Sequence, residues 1–161
     1  EVYPHATNTL RILTLWHPRD RTPFTAAVTH RFGTARSKPL DNFHQGGGGI
    51  CADVHATTGV MGKAVSVRDS QLEWHTTHPE TGVTITGLSI PGYQCCIDGV
   101  ERLAASLPFC RCVGWDVVVT EAGYSVLEAN PLPGYWVWQV HRPLLQDPRI
   151  RDFYRLWKLA A

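Results

Sequence analysis

The chain has 161 residues, 43% of them hydrophobic, and its 15 Lys and Arg stand against 14 Asp and Glu for a formal net charge of +1. A chain of about 150 residues buries roughly 68–70% of its unfolded surface, enough for one domain with a full core. Balanced charge without a long basic block excludes the footprint of a dedicated nucleic-acid binder, and no apolar run approaches the roughly 20 residues of a membrane span. Only Lys38, Lys63 and Lys158 are lysines, so the basic side chains are mostly arginine, the residue suited to bidentate capture of carboxylate or phosphate. Five cysteines, none in a C-x-x-C pair, read as small apolar side chains in a reducing cytoplasm.

Alternation over residues 10–15 (LRILTL) predicts a strand with Leu10 and Ile12 on one face and Arg11, Leu13 and Leu15 on the other. A proline-bearing turn leads to a second strand over 25–32, antiparallel to the first. Residues 33–49 read as a loop that carries Arg36, Lys38, Asp41, Asn42, His44 and Gln45 and ends in Gly46 to Gly49. Strands are expected over 50–54 and 60–67, joined by HATTG with Gly59 at positive φ. Residues 68–91 read as a surface excursion with a short strand at 83–85. The spacing of Ile97, Val100, Leu103, Ala104 and Leu107 predicts a helix over 92–107, stopped by Pro108. A hairpin over 111–120 and 124–130 and a last helix over 150–159 complete the chain.

The hairpin carries the chemistry. With Glu121 to Gly123 as a three-residue loop, Thr120 pairs with Tyr124 and Asp116 falls opposite Glu128, with Asn130 on the same face and Trp115, Val117, Val119, Leu127 and Ala129 on the other. Two carboxylates and an amide oxygen are hard-oxygen ligands of the kind Mg²⁺ takes beside phosphates. The same alternation also describes a solvated face of an antiparallel sheet. The rigid Asn130-Pro131-Leu132-Pro133-Gly134 turn, which fixes the end of the amide-bearing strand, favours the metal reading. Consecutive glycines such as Gly46 and Gly47 let backbone N–H groups approach phosphate, or simply keep a loop flexible; no Walker-type P-loop pattern surrounds them.

The stretch GWDVVVTEAGYSVLEANPLPG (114–134) resembles the metal-binding hairpin of ATP-grasp ligases, an Asp followed by an E-x-N-x-x-P-G motif. NTLRILTL, DNFHQGGGG, THPETG and IPGY, in that order, resemble the sugar-transfer associated branch of that superfamily. The resemblance implies an α+β fold, the ATP-grasp-like C-terminal portion, with an antiparallel β-sheet backed by one long helix and a short C-terminal helix. It implies that Asp116, Glu128 and Asn130 hold one or two Mg²⁺ on the phosphates of ATP. Arg11 and Arg31 match arginines aimed at those phosphates or at an acyl phosphate, and Asn42 matches a loop polar group beside them. The activity implied is ATP-dependent activation of a small-molecule or saccharide-linked carboxylate for attack by an amine or other nucleophile, in polysaccharide or cell-envelope biosynthesis.

On this reading residues 1–161 form a single metal- and phosphate-binding domain, with the family's N-terminal half, which grips adenine, as its missing partner. The alternative is a non-catalytic ATP-grasp-derived binding or scaffold domain. A third reading, a zinc-held structural domain, draws on His75, His78 and the cysteines, whose spacing matches no recognised finger. Trp136 and Trp138, just past the metal motif, are candidates to line an acceptor pocket.

Overall fold

The computed structural model describes residues 1–44 and 47–157. Gln45, Gly46 and the 158–159 end of the predicted last helix lie outside the described residues. Among the described residues one seven-stranded sheet is built from β1 (Leu10–Trp16), β2 (Pro23–Phe32), β3 (Ile50–Val54), β4 (Met61–Arg68), β5 (Gln71–His75), β6 (Cys112–Thr120) and β7 (Gly123–Asn130). The order across the sheet is β5-β4-β3-β2-β1-β6-β7, every neighbouring pair antiparallel. The α-helices are α1 (Tyr93–Ala105), α2 (Trp136–Gln139) and α3 (Pro148–Leu156). The architecture is α+β, as the sequence predicts, with α2 as an added short turn of helix.

The central strands are apolar on both faces because both are covered. Leu10 and Ile12 of β1 enter one core with Val28, Trp115, Val117 and the α1 residues Cys96, Ile97, Val100 and Ala104. Leu13 and Leu15 point the other way, into a second core with Ala27, Val65, Trp138, Ile150 and Phe153. Period-two alternation therefore gives each face of one strand a different partner, and each fully buried aliphatic side chain contributes about 1.5–3 kcal/mol. Arg11, on the second face of this strand, is its one charged residue and stands beside the apolar Leu13 and Leu15.

Local chemistry sets the helix ends. Pro91 and Gly92 (φ 63°) turn the chain into α1, which closes at Ala105 ahead of Pro108. In α3, Asp147 caps the N-terminus by accepting from the Arg149 N–H at 2.8 Å, and Pro148 occupies the first turn. The Arg149 side chain holds the Asp147 carboxyl below the usual range.

One sequence expectation differs from the structure here. The excursion after β4 contains β5 rather than a strand at 83–85, where Thr84 makes only an isolated bridge to Thr77. Asp69 and Ser70 take positive φ (49° and 64°) and make the tight turn into β5; neither is the glycine that usually signals it.

His30, on β2, stacks on Phe32 (4.3 Å, 6°) and donates from Nδ1 to the Arg31 carbonyl at 3.0 Å. Burial lowers its pKa to about 4. Folding favours the neutral ring, so the stability it carries is complete above an unfolded pKa of about 6.5 and is lost as pH falls toward 4. Urea unfolding across that range should show a falling stability whose slope is reduced in His30→Phe.

Candidate functional site

The sheet register gathers the polar residues into one row. Arg11 of β1 pairs across to Asp116 of β6, and Asp116 pairs on to Glu128 of β7. On the other side Arg11 pairs with Thr29 of β2, and Thr29 with Asp53 of β3. Paired residues in a sheet share a face, so Thr29, Arg11, Asp116 and Glu128 project together.

The predicted pairing of Asp116 with Glu128 is present, by a different route. Thr120 pairs with Gly123 rather than Tyr124, which leaves Glu121 and Ala122 as the turn and moves the register by one. A bulge at Leu127 then restores it between Val117 and Asp116. As the extra residue, Leu127 is 58% exposed instead of entering the core, and Ala129 is exposed too; Tyr124 and Val126 pack there in their place.

Asp116 is buried and held by two guanidinium groups. Arg11 meets it as a fork, Nε facing Oδ1 and Nη2 donating to Oδ2 at 2.8 Å. Arg31 Nη2 lies 3.1 Å from the same Oδ2 and 3.4 Å from Oδ1 of Asp41. Thr9 completes the arrangement: its hydroxyl accepts from Arg31 Nη2 at 2.6 Å, and its N–H and hydroxyl donate to Asp41 Oδ2 at 2.8 and 2.6 Å. Two cations and two anions balance, which is what permits burial this deep. Burial pushes the Asp41 carboxyl above its usual range, with Arg31 and Thr9 pulling it back.

The structure thus brings together Arg11, Arg31 and Asp116, with Glu128 directly across from Asp116. Glu128 is exposed and, among the described residues, has no ion-pair partner. Asn130, two residues further along β7, is half-buried and its Oδ1 accepts the Leu132 N–H at 3.0 Å, shaping the turn that follows. Asn42 is exposed, and its carbonyl accepts the Gly49 N–H at 3.0 Å. Gly47 packs so closely that an added Cβ would lie 2.6 Å from the Asn42 carbonyl oxygen. Gly46 lies outside the described residues. The sequence offers Asp41 only as one of several polar members of the 33–49 loop and gives no sign of Thr9: an isolated Thr and a loop Asp carry no pattern until β1 and β2 are laid side by side.

Gly114, opposite Asn130, explains how the turn reaches the sheet. A Cβ at Gly114 would sit 2.6 Å from Cβ of Pro133, so the Pro131 to Gly134 segment lies directly over β6. Gly114→Ala is expected to destabilise the fold by about 1–3 kcal/mol through overpacking, read as a lower urea midpoint.

The two tryptophans separate. Trp138 is fully buried and donates from Nε1 to the Arg11 carbonyl at 3.1 Å, so it belongs to the core beneath the site. Trp136 is half exposed and stacks on Phe43 (5.1 Å, 12°) beside an open groove of about 360 Å³ lined by Val67, Ser70 and Leu72. His78 is buried with Nε2 donating to the Gly33 carbonyl at 2.8 Å, a structural role.

Among the described residues no group of three or more His, Cys, Asp and Glu converges on one point, so Asp116 and Glu128 have no third such ligand beside them, and the Asn130 amide is the further oxygen of the hairpin. Two carboxylates and an amide oxygen fit a hard divalent cation. Oδ2 of Asp116 takes both arginines, whereas Oδ1 faces Arg11 Nε without a hydrogen bond, so Oδ1 is the oxygen a metal would take, in competition with the Arg11 guanidinium.

A model of the sugar-transfer associated ATP-grasp family matches residues 1–149, which takes in every strand of the sheet and the Asp116, Glu128 and Asn130 hairpin. The chain belongs to the sugar-transfer associated ATP-grasp family. Comparison with curated proteins and with solved structures returns no match. ATP-grasp membership points to ATP-dependent, ligase-type activity associated with sugar transfer, on a fold that generally binds ATP with Mg²⁺. No helix among the described residues is long and apolar enough to cross a membrane.

Proposed function

We propose that residues 1–161 form a single metal- and phosphate-binding domain of an ATP- and Mg²⁺-dependent ligase that activates a carboxylate as an acyl phosphate. The observation that carries this reading is the buried Arg11, Arg31 and Asp116 cluster with Glu128 across the strand, all on the family's hairpin face. A carboxylate oxygen attacks the γ-phosphorus, the bond to the bridging oxygen breaks and ADP leaves; an amine or other nucleophile then attacks the acyl carbon and phosphate leaves. Negative charge accumulates between two anions in the first step, and preorganised cations lower that barrier.

Arg11 and Arg31 would hold phosphoryl oxygens, while Asp116, Glu128 and Asn130 would hold Mg²⁺. Bound there, Mg²⁺ supplies charge neutralisation between neighbouring phosphates. Asn42 and Gly47, on the loop that Asp41 ties to Arg31, would stand beside the same phosphates. The family's sugar-transfer association supports a saccharide-linked carboxylate in polysaccharide or cell-envelope biosynthesis, in the cytoplasm where ATP is supplied.

A second reading, a non-catalytic scaffold, draws on the charge balance of the cluster, which needs no ligand to be satisfied. Glu128→Gln separates the two, because Glu128 is exposed and its side chain makes no ion pair among the described residues. In the full-length protein this variant should reduce Mg²⁺-dependent ATP turnover by about 10²-fold or more with an unchanged urea midpoint. Turnover equal to wild type would contradict the ligase reading, and absence of Mg²⁺·ATP binding by the wild type would support the scaffold.

A further inference from the structure

The two arginines are not equivalent. Arg31 touches two carboxylates, Asp116 at 3.1 Å and Asp41 at 3.4 Å, and has the Thr9 hydroxyl as well. Arg11 has Asp116 as its one anionic partner among the described residues, and its side chain is only 15% exposed. If Asp116 turns toward a cation, Arg31 retains Asp41, whereas Arg11 is left as a nearly buried, unpaired cation. An unpaired buried charge is strongly unfavourable, and an incoming anion relieves it.

We infer that Arg11 makes cation and anion binding at this face depend on each other, acting as an internal counter-cation that keeps Asp116 closed to a bare metal ion until an anion takes its place. Arg31, anchored by Asp41 and Thr9, keeps its partners through the exchange. This rests on the proposed metal role of Asp116 and Glu128 and goes beyond it: the fork between Arg11 and Asp116 sets the face against either ion alone. Linkage requires that the anion strengthen the cation by the same factor as the cation strengthens the anion.

Mn²⁺ and sulfate are suitable probes, since sulfate offers the tetrahedral anion while binding the metal weakly. Free Mn²⁺ is followed by electron paramagnetic resonance with the intact chain, in sulfate and in chloride at equal ionic strength. Sulfate should tighten Mn²⁺ about 5- to 150-fold, the usual span of coupling between sites, with the same factor for Mn²⁺ on sulfate. In Arg11→Gln, Mn²⁺ should bind more tightly than wild type in chloride and lose its sulfate dependence. Glu128→Gln should abolish Mn²⁺ binding in both salts, which places the ion on the hairpin.

Mn²⁺ binding by wild type that is equal in sulfate and chloride overturns the coupling while leaving the metal assignment standing, and needs no variant to fold. Arg11→Gln that folds and binds Mn²⁺ no better than wild type in chloride overturns the role of Arg11. Absence of Mn²⁺ binding by wild type in either salt overturns both the coupling and the metal reading beneath it.

Discussion

Replacing Asp116 with alanine is expected to destabilise the fold by about 3–5 kcal/mol, the usual consequence of removing one partner from a buried charge cluster. The carboxylate sits between Arg11 and Arg31, all three side chains at 15% exposure or less. Without it Arg31 keeps Asp41 and Thr9, and Arg11 is stranded. The loss is therefore expected to be smaller in Arg11→Met/Asp116→Leu, which removes the whole fork and fills the space with apolar atoms, than in Asp116→Ala alone. Urea unfolding of both variants checks this. A double variant as unstable as the single one would mean that the ion pair itself, rather than the stranded guanidinium, carries the energy.

Trp138→Ala should be about as damaging, at roughly 3–5 kcal/mol, because the indole is fully buried in the core that also holds Leu13, Leu15, Ile150 and Phe153. Its effect reaches the site. The indole N–H holds the carbonyl of Arg11, and the ring lies 3.4 Å from where a Cβ would stand on Gly114, so it backs both strands that present the Arg11 and Asp116 fork. Trp138→Phe keeps most of the apolar contact and removes the hydrogen bond, for which about 0.5–1.5 kcal/mol is expected. Thermal unfolding separates the two variants, since each 1 kcal/mol shifts the midpoint by about 2–4 °C in a domain of this size. Loss of the α3 packing alone would leave Trp138→Phe at wild-type stability.

Periodicity and turn chemistry account for what was legible beforehand. The alternation in LRILTL separates Leu10 and Ile12 from Leu13 and Leu15, as observed, but it does not say that α1 covers the first face and α3 the second. The opposition of Asp116 and Glu128 was legible only because two local departures cancel: a turn one residue shorter than expected and a bulge at Leu127. Strand β5 was hidden because its turn uses Asp69 and Ser70 at positive φ, where a glycine would have announced it. What no single-chain pattern could show is the pairing of β1 with β6, about a hundred residues apart, which puts Arg11 on Asp116 rather than leaving both open to ligand. The Thr9 and Asp41 contacts arise in the same way, from a loop folding back over the β1 and β2 ends.

Crystals of the chain grown with Mn²⁺ and a non-hydrolysable ATP analogue test the central claim most directly, through the anomalous scattering of the metal. The account predicts an anomalous peak within coordination distance of Asp116 and Glu128, with Arg11 turned from Asp116 onto a phosphate oxygen. A metal bound elsewhere, with the Arg11 fork still closed on Asp116, would contradict it.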